Sequence, residues 1–194
     1  MKLISPLLAV LLLAGCQMGG HSDKSADGSR SATKAASATA SGGAETRQAR
    51  ADLEAKSGSK VAGVVNFTER DGQVRIEVKA SGLTPNAEHA IHIHEKGDCS
   101  APDATSAGGH FNPDNQPHGH PMEAKRHAGD LPNLRASSSG NATATYDVKG
   151  LTLDNDFRGV LQRAVVIHAK ADDYKSQPAG DAGGRIACGV IRKS

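Results

Sequence analysis

The sequence predicts an all-β domain with long connecting loops. Three observations predict it: a two-residue hydrophobic period in several short runs, turn signals between those runs, and no sustained helical period anywhere in the 194 residues. Val61, Gly63, Val65 and Phe67 share one side of a first run, and Val74, Ile76 and Val78 share one side of the next. Asp71-Gly72 between them is a tight-turn signal for antiparallel neighbours, and Thr84-Pro85-Asn86 marks the following turn. Further strand-like runs cover 90–94, 133–137, 142–148, 164–169 and 185–191. Two long connections, 95–131 and 170–184, interrupt them, and loops of that length in a compact domain carry function or are disordered.

Ahead of the domain, Met1-Lys2, an apolar stretch from Leu3 to Leu13 and Ala14-Gly15-Cys16 have the layout of an export signal. The stretch is about half of what a helix needs to cross a bilayer. Leu13-Ala14-Gly15-Cys16 resembles the bacterial lipoprotein cleavage box, which implies that Cys16 becomes the N-terminus and carries acyl chains. Gln17 stands where an aspartate commonly retains such proteins in the inner membrane, so the expectation is a periplasmic domain anchored to the outer membrane. Residues 17–50 are rich in Ser, Ala, Gly, Thr and Lys. They offer too little apolar surface to offset their ordering entropy, and read as a tether spanning about 30 to 35 Å. The folded domain is then 51–194. With Cys16 taken by lipid, Cys99 and Cys188 remain to pair as a disulfide.

Residues 51–194 hold 17 Lys/Arg against 18 Asp/Glu, so the domain is nearly neutral. It has no basic face and few aromatics, which argues against a nucleic-acid partner.

The chemistry-bearing residues are histidines. In Ala90-Ile91-His92-Ile93-His94, strand alternation sends the two isoleucines to one face and both imidazoles to the other. His110, His118 and His127 follow along the first long connection, with Asp130 three residues after the last: the nitrogen and oxygen donor set of a tetrahedral zinc site. His168 closes the apolar run Val165-Val166-Ile167.

His92-Ile93-His94, Gly109-His110-Phe111-Asn112-Pro113, His118-Gly119, His127-x-Gly129-Asp130 and Gly184-Arg185-x-Ala187-Cys188-Gly189-Val190, in that order, resemble the copper-zinc superoxide dismutase family over roughly residues 50 to 194. The resemblance implies an eight-stranded Greek-key β-barrel, or flattened immunoglobulin-like sandwich, with long metal-binding loops. It implies copper bound by His92, His94, His110 and His168, and zinc bound by His110, His118, His127 and Asp130, with His110 bridging the two. Four nitrogen donors suit copper(II), and the mixed set suits zinc. Asp172 matches the aspartate that orients His92 and His118, with Asp173 its adjacent competitor. Arg185 matches the arginine that draws the anionic substrate to the copper. Cys99 and Cys188 match the family disulfide. His21, His89 and His120 have no matching role and read as non-ligands, and His120 stands where the family commonly has glycine.

The implied reaction is a ping-pong redox cycle. One superoxide reduces the copper and leaves as dioxygen; a second takes up the electron and two protons and leaves as hydrogen peroxide, with His110 delivering a proton as general acid. The competing reading is a non-catalytic periplasmic lipoprotein that buffers or delivers copper or zinc, which would have no use for Arg185. A zinc hydrolase lacks support, because no His-Glu-x-x-His motif is present. The resemblance is compatible with a monomer or a homodimer.

Overall fold

The computed structural model describes residues 46–194. The export signal, Cys16, His21 and nearly all of the expected tether lie outside the described residues. The strands are β1 (Arg47–Ala55), β2 (Ala62–Arg70), β3 (Gln73–Ser81), β4 (Glu88–His89), β5 (Ile91–His94), β6 (Leu134–Arg135), β7 (Ala142–Lys149), β8 (Ala164–His168), β9 (Arg185–Val190) and β10 (Arg192–Lys193).

All the strand pairs are antiparallel. An eight-stranded sheet runs β5-β8-β9-β1-β2-β3-β7, with β10 also pairing with β1, and β4 pairs with β6. The sheet curls into a Greek-key β-barrel. After β3 the chain does not pair with its neighbour; it crosses to build β5 beside β8, and β7 returns to lie along β3 from Ala80↔Ala142 to Gln73↔Lys149. The β2–β3 hairpin turns at Asp71-Gly72, both with positive φ, as a two-residue turn between twisted strands requires.

Strand β1 is absent from the sequence reading and begins at Arg47, ahead of the domain boundary expected at 51. Its buried positions are Ala49, Ala51 and Leu53, flanked by charged residues. Alternation built on alanine carries little hydrophobic contrast, so it merges with the Ala-rich stretch before it.

The core holds Phe67, Ile76, Ile91, Ile93 and Ile167, none more than 1% exposed. Burying each of these side chains contributes about 1.5 to 3 kcal/mol. In β5 and β8 both faces are buried. Ile91, Ile93, Val165 and Ile167 fill the barrel, while Ala164 and Val166 pack on the other face with Ala104, Ala107, Cys188 and Cys99. The disulfide Cys99–Cys188 holds the first long connection onto this outer face. The histidines of β5 and β8 share that face, which leads directly to the site.

Candidate metal centre

Strand β5 pairs with β8 on one side, and on its other side the first long connection folds back onto it. Isolated bridges join His92 to Asp130 and His94 to His110. Ile93 donates its N–H to Gly129 O at 2.9 Å, Gly129 donates to Phe111 O at 2.9 Å, and Phe111 donates to Ile93 O at 2.8 Å. This ring of backbone bonds sets His110 and Asp130 beside the β5 histidines. It also explains Gly129: a Cβ there would lie 2.2 Å from Ile93 O.

Two groups of donors result. His92, His94, His110 and His168 form one; His110, His118, His127 and Asp130 form the other; each could hold a metal ion, with donor atoms within 4.8 Å of one another. His110 belongs to both. In the second group the distance to Asp130 Oδ1 is 2.9 Å from His110 Nδ1, 3.1 Å from His118 Nδ1 and 3.3 Å from His127 Nδ1, and the two imidazole nitrogens of His127 and His110 stand 3.3 Å apart. Corners of a tetrahedron with zinc-type bonds of about 2.0 to 2.1 Å are about 3.3 Å apart, so these spacings fit that ion. In the first group His94 Nε2 and His168 Nε2 are 3.4 Å apart.

The protein sets which ring nitrogen each histidine offers. His94 Nδ1–H donates to Gly108 O at 3.0 Å and His168 Nδ1–H to Gly183 O at 3.3 Å, so both present Nε2. His92 Nε2–H donates to Asp172 Oδ2 at 2.8 Å and His118 Nε2–H to Asp172 Oδ1 at 2.9 Å, so both present Nδ1. Of the nitrogens left over, His92 Nδ1 and His110 Nε2 are buried with no hydrogen-bond partner among the described residues, and buried His118 Nδ1 faces only Asp130 Oδ1, its neighbour in the donor group. Buried polar atoms are normally satisfied, and here all three point into the donor groups, so the residues fit metal ions.

Electrostatics prepare the same atoms. Burial, reinforced by His92 and other neighbouring rings, pushes His168 down to about 3. Burial likewise pushes His110 to about 4 against the pull of Asp130, and takes His94 well below its ordinary value. These rings are therefore neutral donors near pH 7. For His118 burial acts downward but Asp130 and Asp172 outweigh it, raising it to about 9. A cation among these groups takes the place of that proton. Asp130 and Asp172 lie far below the usual carboxylate range, because hydrogen bonds from the histidines outweigh the cost of burial.

Asp172 is buried, whereas Asp173 is exposed and accepts from Ser176 and from the N–H of Lys175. Arg185 is half-buried, and its guanidinium donates to Ala104 O at 2.6 Å and Gly108 O at 2.7 Å. It lines a mouth of about 400 Å³ with His168, Gln177, Asp181 and Gly183. His89 and His120 join neither donor group: His89 Nδ1–H donates to His168 O at 2.9 Å, and His120 leans edge-on against Tyr174. The sequence reading missed that contact of His89 and the grip of Gln177 on His118; strand period carries no signal for either.

A Greek-key barrel with two adjoining donor groups sharing one imidazole, beside an anchored arginine, defines a binuclear metalloprotein suited to small anions. Residues 61–191 match copper/zinc superoxide dismutase (SODC), and the chain belongs to that family. It is 45% identical to "Superoxide dismutase [Cu-Zn] 2" of Aquifex aeolicus (strain VF5) over 69% of this chain and 80% of that one. It is 38% identical to "Superoxide dismutase [Cu-Zn]" of Deinococcus radiodurans over 74% and 83%. Among solved structures, a SOD-like protein from Bacillus subtilis is similar with a TM-score of 0.66 at 36% identity, over 73% of this chain and 96% of that chain. As a member of the family the protein is a superoxide dismutase that uses copper and zinc.

Proposed function

We propose that His92, His94, His110 and His168 hold the copper and His110, His118, His127 and Asp130 the zinc, in an enzyme that converts two superoxide anions and two protons to dioxygen and hydrogen peroxide. The observation that carries this is His110, whose Nδ1 faces Asp130 while Nε2 is buried and unpartnered. Bound copper supplies the one-electron change and bound zinc a fixed positive charge.

The chain supplies the rest. Arg185, immobilised by two carbonyls, attracts and orients the anion at the mouth. His110 holds a proton at Nε2 and gives it to the departing peroxide, while Nδ1 stays fixed among His127 and Asp130. Asp172 keeps His92 and His118 in the right tautomer and links the two groups through one carboxylate. A metal store would need the donor groups but no anchored cation beside them, which favours the enzyme over a copper or zinc buffer.

The test is superoxide dismutation by the full chain loaded with copper and zinc, beside His168→Ala, with metals quantified. Fully metallated but inactive wild-type protein would return the buffering reading. The domain boundary matters here, because starting at Ala51 would remove half of β1.

We also propose that Cys16 is lipidated, that residues 17–50 include the tether, and that the enzyme works in the periplasm on the outer membrane, protecting the cell envelope from superoxide. The support is the layout of residues 1–17. Labelled fatty acid incorporated into the wild type but not into Cys16→Ser, with outer-membrane fractionation, is the expected result; equal labelling of both would overturn it.

A further inference from the structure

We propose that Gln177 is a positioning residue for the second donor group, acting by gripping the peptide of His118. This rests on reading that group as the zinc site. His118 N–H donates to Gln177 Oε1 at 2.9 Å, and Gln177 Nε2 donates to His118 O at 2.8 Å. A side-chain amide carries one acceptor and one donor group, so it serves a peptide as a neighbouring strand would. The two partners also fix which way round the amide stands, since the reverse would set donor against donor.

His118 is held at other points as well. Its ring is tied to Asp172 through Nε2, and its peptide is tied to Gln177. Both ties come from the second long connection, 59 and 54 residues away in sequence. With the peptide and the far ring nitrogen both fixed, the side-chain torsions have little freedom. Nδ1 is then held 3.1 Å from Asp130 Oδ1, where the tetrahedral set needs it. Asp172 fixes the far end of the ring, and Gly119 N–H donates to Asp130 Oδ2 at 3.2 Å on the peptide that follows; Gln177 adds the hold on the His118 N–H and carbonyl.

Gln177 also lines the substrate mouth with His168 and Arg185. The residue is itself exposed, and its third polar contact, Nε2 to Lys175 O, is long at 3.4 Å. The grip on His118 is therefore what orders this side chain, and the wall of the mouth is fastened to a zinc ligand through it.

The experiment compares the full chain with Gln177→Leu, which keeps the bulk and loses both hydrogen bonds. Lys175→Ala, a change in the same loop whose side chain has no part in the grip, is the control. Zinc affinity is measured by chelator competition, and cobalt(II) is substituted for zinc to read the d–d spectrum. The expected result is a zinc dissociation constant raised about tenfold and an altered cobalt spectrum in Gln177→Leu, with Lys175→Ala matching the wild type. If Gln177→Leu does not fold, Gln177→Asn, one methylene too short to reach both atoms, carries the same expectation. A folded Gln177 variant with wild-type zinc affinity and cobalt spectrum overturns the grip. A wild type that binds no zinc tightly overturns instead the zinc reading on which it rests.

Discussion

Arg185 and His94 donate to the same atom. The carbonyl oxygen of Gly108 accepts Arg185 Nη2–H at 2.7 Å and His94 Nδ1–H at 3.0 Å, so one peptide sets both the cation proposed to attract substrate and the tautomer of a candidate metal donor. Gly108 has a positive φ of 74°, and a Cβ there would meet Glu95 Oε1 at 2.4 Å. The peptide is thereby confined by backbone conformation as well as by its donors.

Arg185→Ala removes the charge and one of the two donors to Gly108. Dismutation should fall roughly tenfold at low ionic strength with copper content unchanged. Arg185→Lys keeps the charge but cannot reach Ala104 O and Gly108 O together, and should fall between the two. Pulse-radiolysis rates across a salt series check this; an Arg185→Ala rate equal to wild type at equal copper loading would count against any role in attraction.

Asp172→Ala frees Nε2 of both His92 and His118. Zinc retention against a chelator should weaken about 10- to 100-fold, and copper retention should weaken with it. Loss confined to one metal would show that the shared carboxylate does not link the groups.

How much of this was legible in the sequence follows from the kind of signal. β5 was readable because Ile and His alternate sharply within five residues, and β8 because Val165, Val166 and Ile167 are unmistakably apolar. β1 was not, since alanine is weakly apolar, and β10, two exposed residues, has no pattern to read. The members of both donor groups were nameable because a family pattern fixes their order, while their convergence depends on backbone bridges such as His94↔His110 that no periodicity encodes. Gln177 is the clearest omission. A glutamine next to proline in a polar loop looks like solvent-facing sequence, and its role exists only because His118 lies opposite.

Gly180 makes a sharper test of that loop. Its φ is +70°, and a Cβ would fall 1.8 Å from Asp172 Oδ1 and 2.8 Å from His118 Nε2, on the hydrogen bond that orients His118. Gly180→Ala should therefore reproduce the zinc-binding defect of Asp172→Ala without removing a polar group. Chelator competition on both variants is the measurement, and wild-type affinity in Gly180→Ala would mean the loop yields more readily than its packing suggests.

The disulfide closes a loop of 89 residues, which in chain-entropy terms contributes about 4 to 5 kcal/mol. Replacing Cys99 and Cys188 by Ser should lower the melting temperature of the metal-free protein clearly. It should also loosen the connection that carries Ala104 and Gly108, so activity should fall even after metals are restored. Calorimetry and metal-reconstituted rates separate the two effects; unchanged activity would show that Arg185 is held without the disulfide.

Among the described residues, Asp181 is the one carboxylate lining the mouth beside His168 and Arg185, and Lys170 Nζ stands 3.5 Å from its Oδ2. Both side chains are largely exposed, so the pair adds little stability. Its sign at the entrance still matters to an anionic substrate within a Debye length of about 8 Å at physiological salt. Asp181→Asn leaves Lys170 unneutralised and should raise the rate roughly twofold at low salt, whereas Lys170→Gln should lower it by a similar factor. The double variant should sit near the wild type, because it removes a neutral pair, and all four proteins should converge as salt is added. A rate for Asp181→Asn at or below wild type, with metals fully loaded, would place the steering charge elsewhere on the surface.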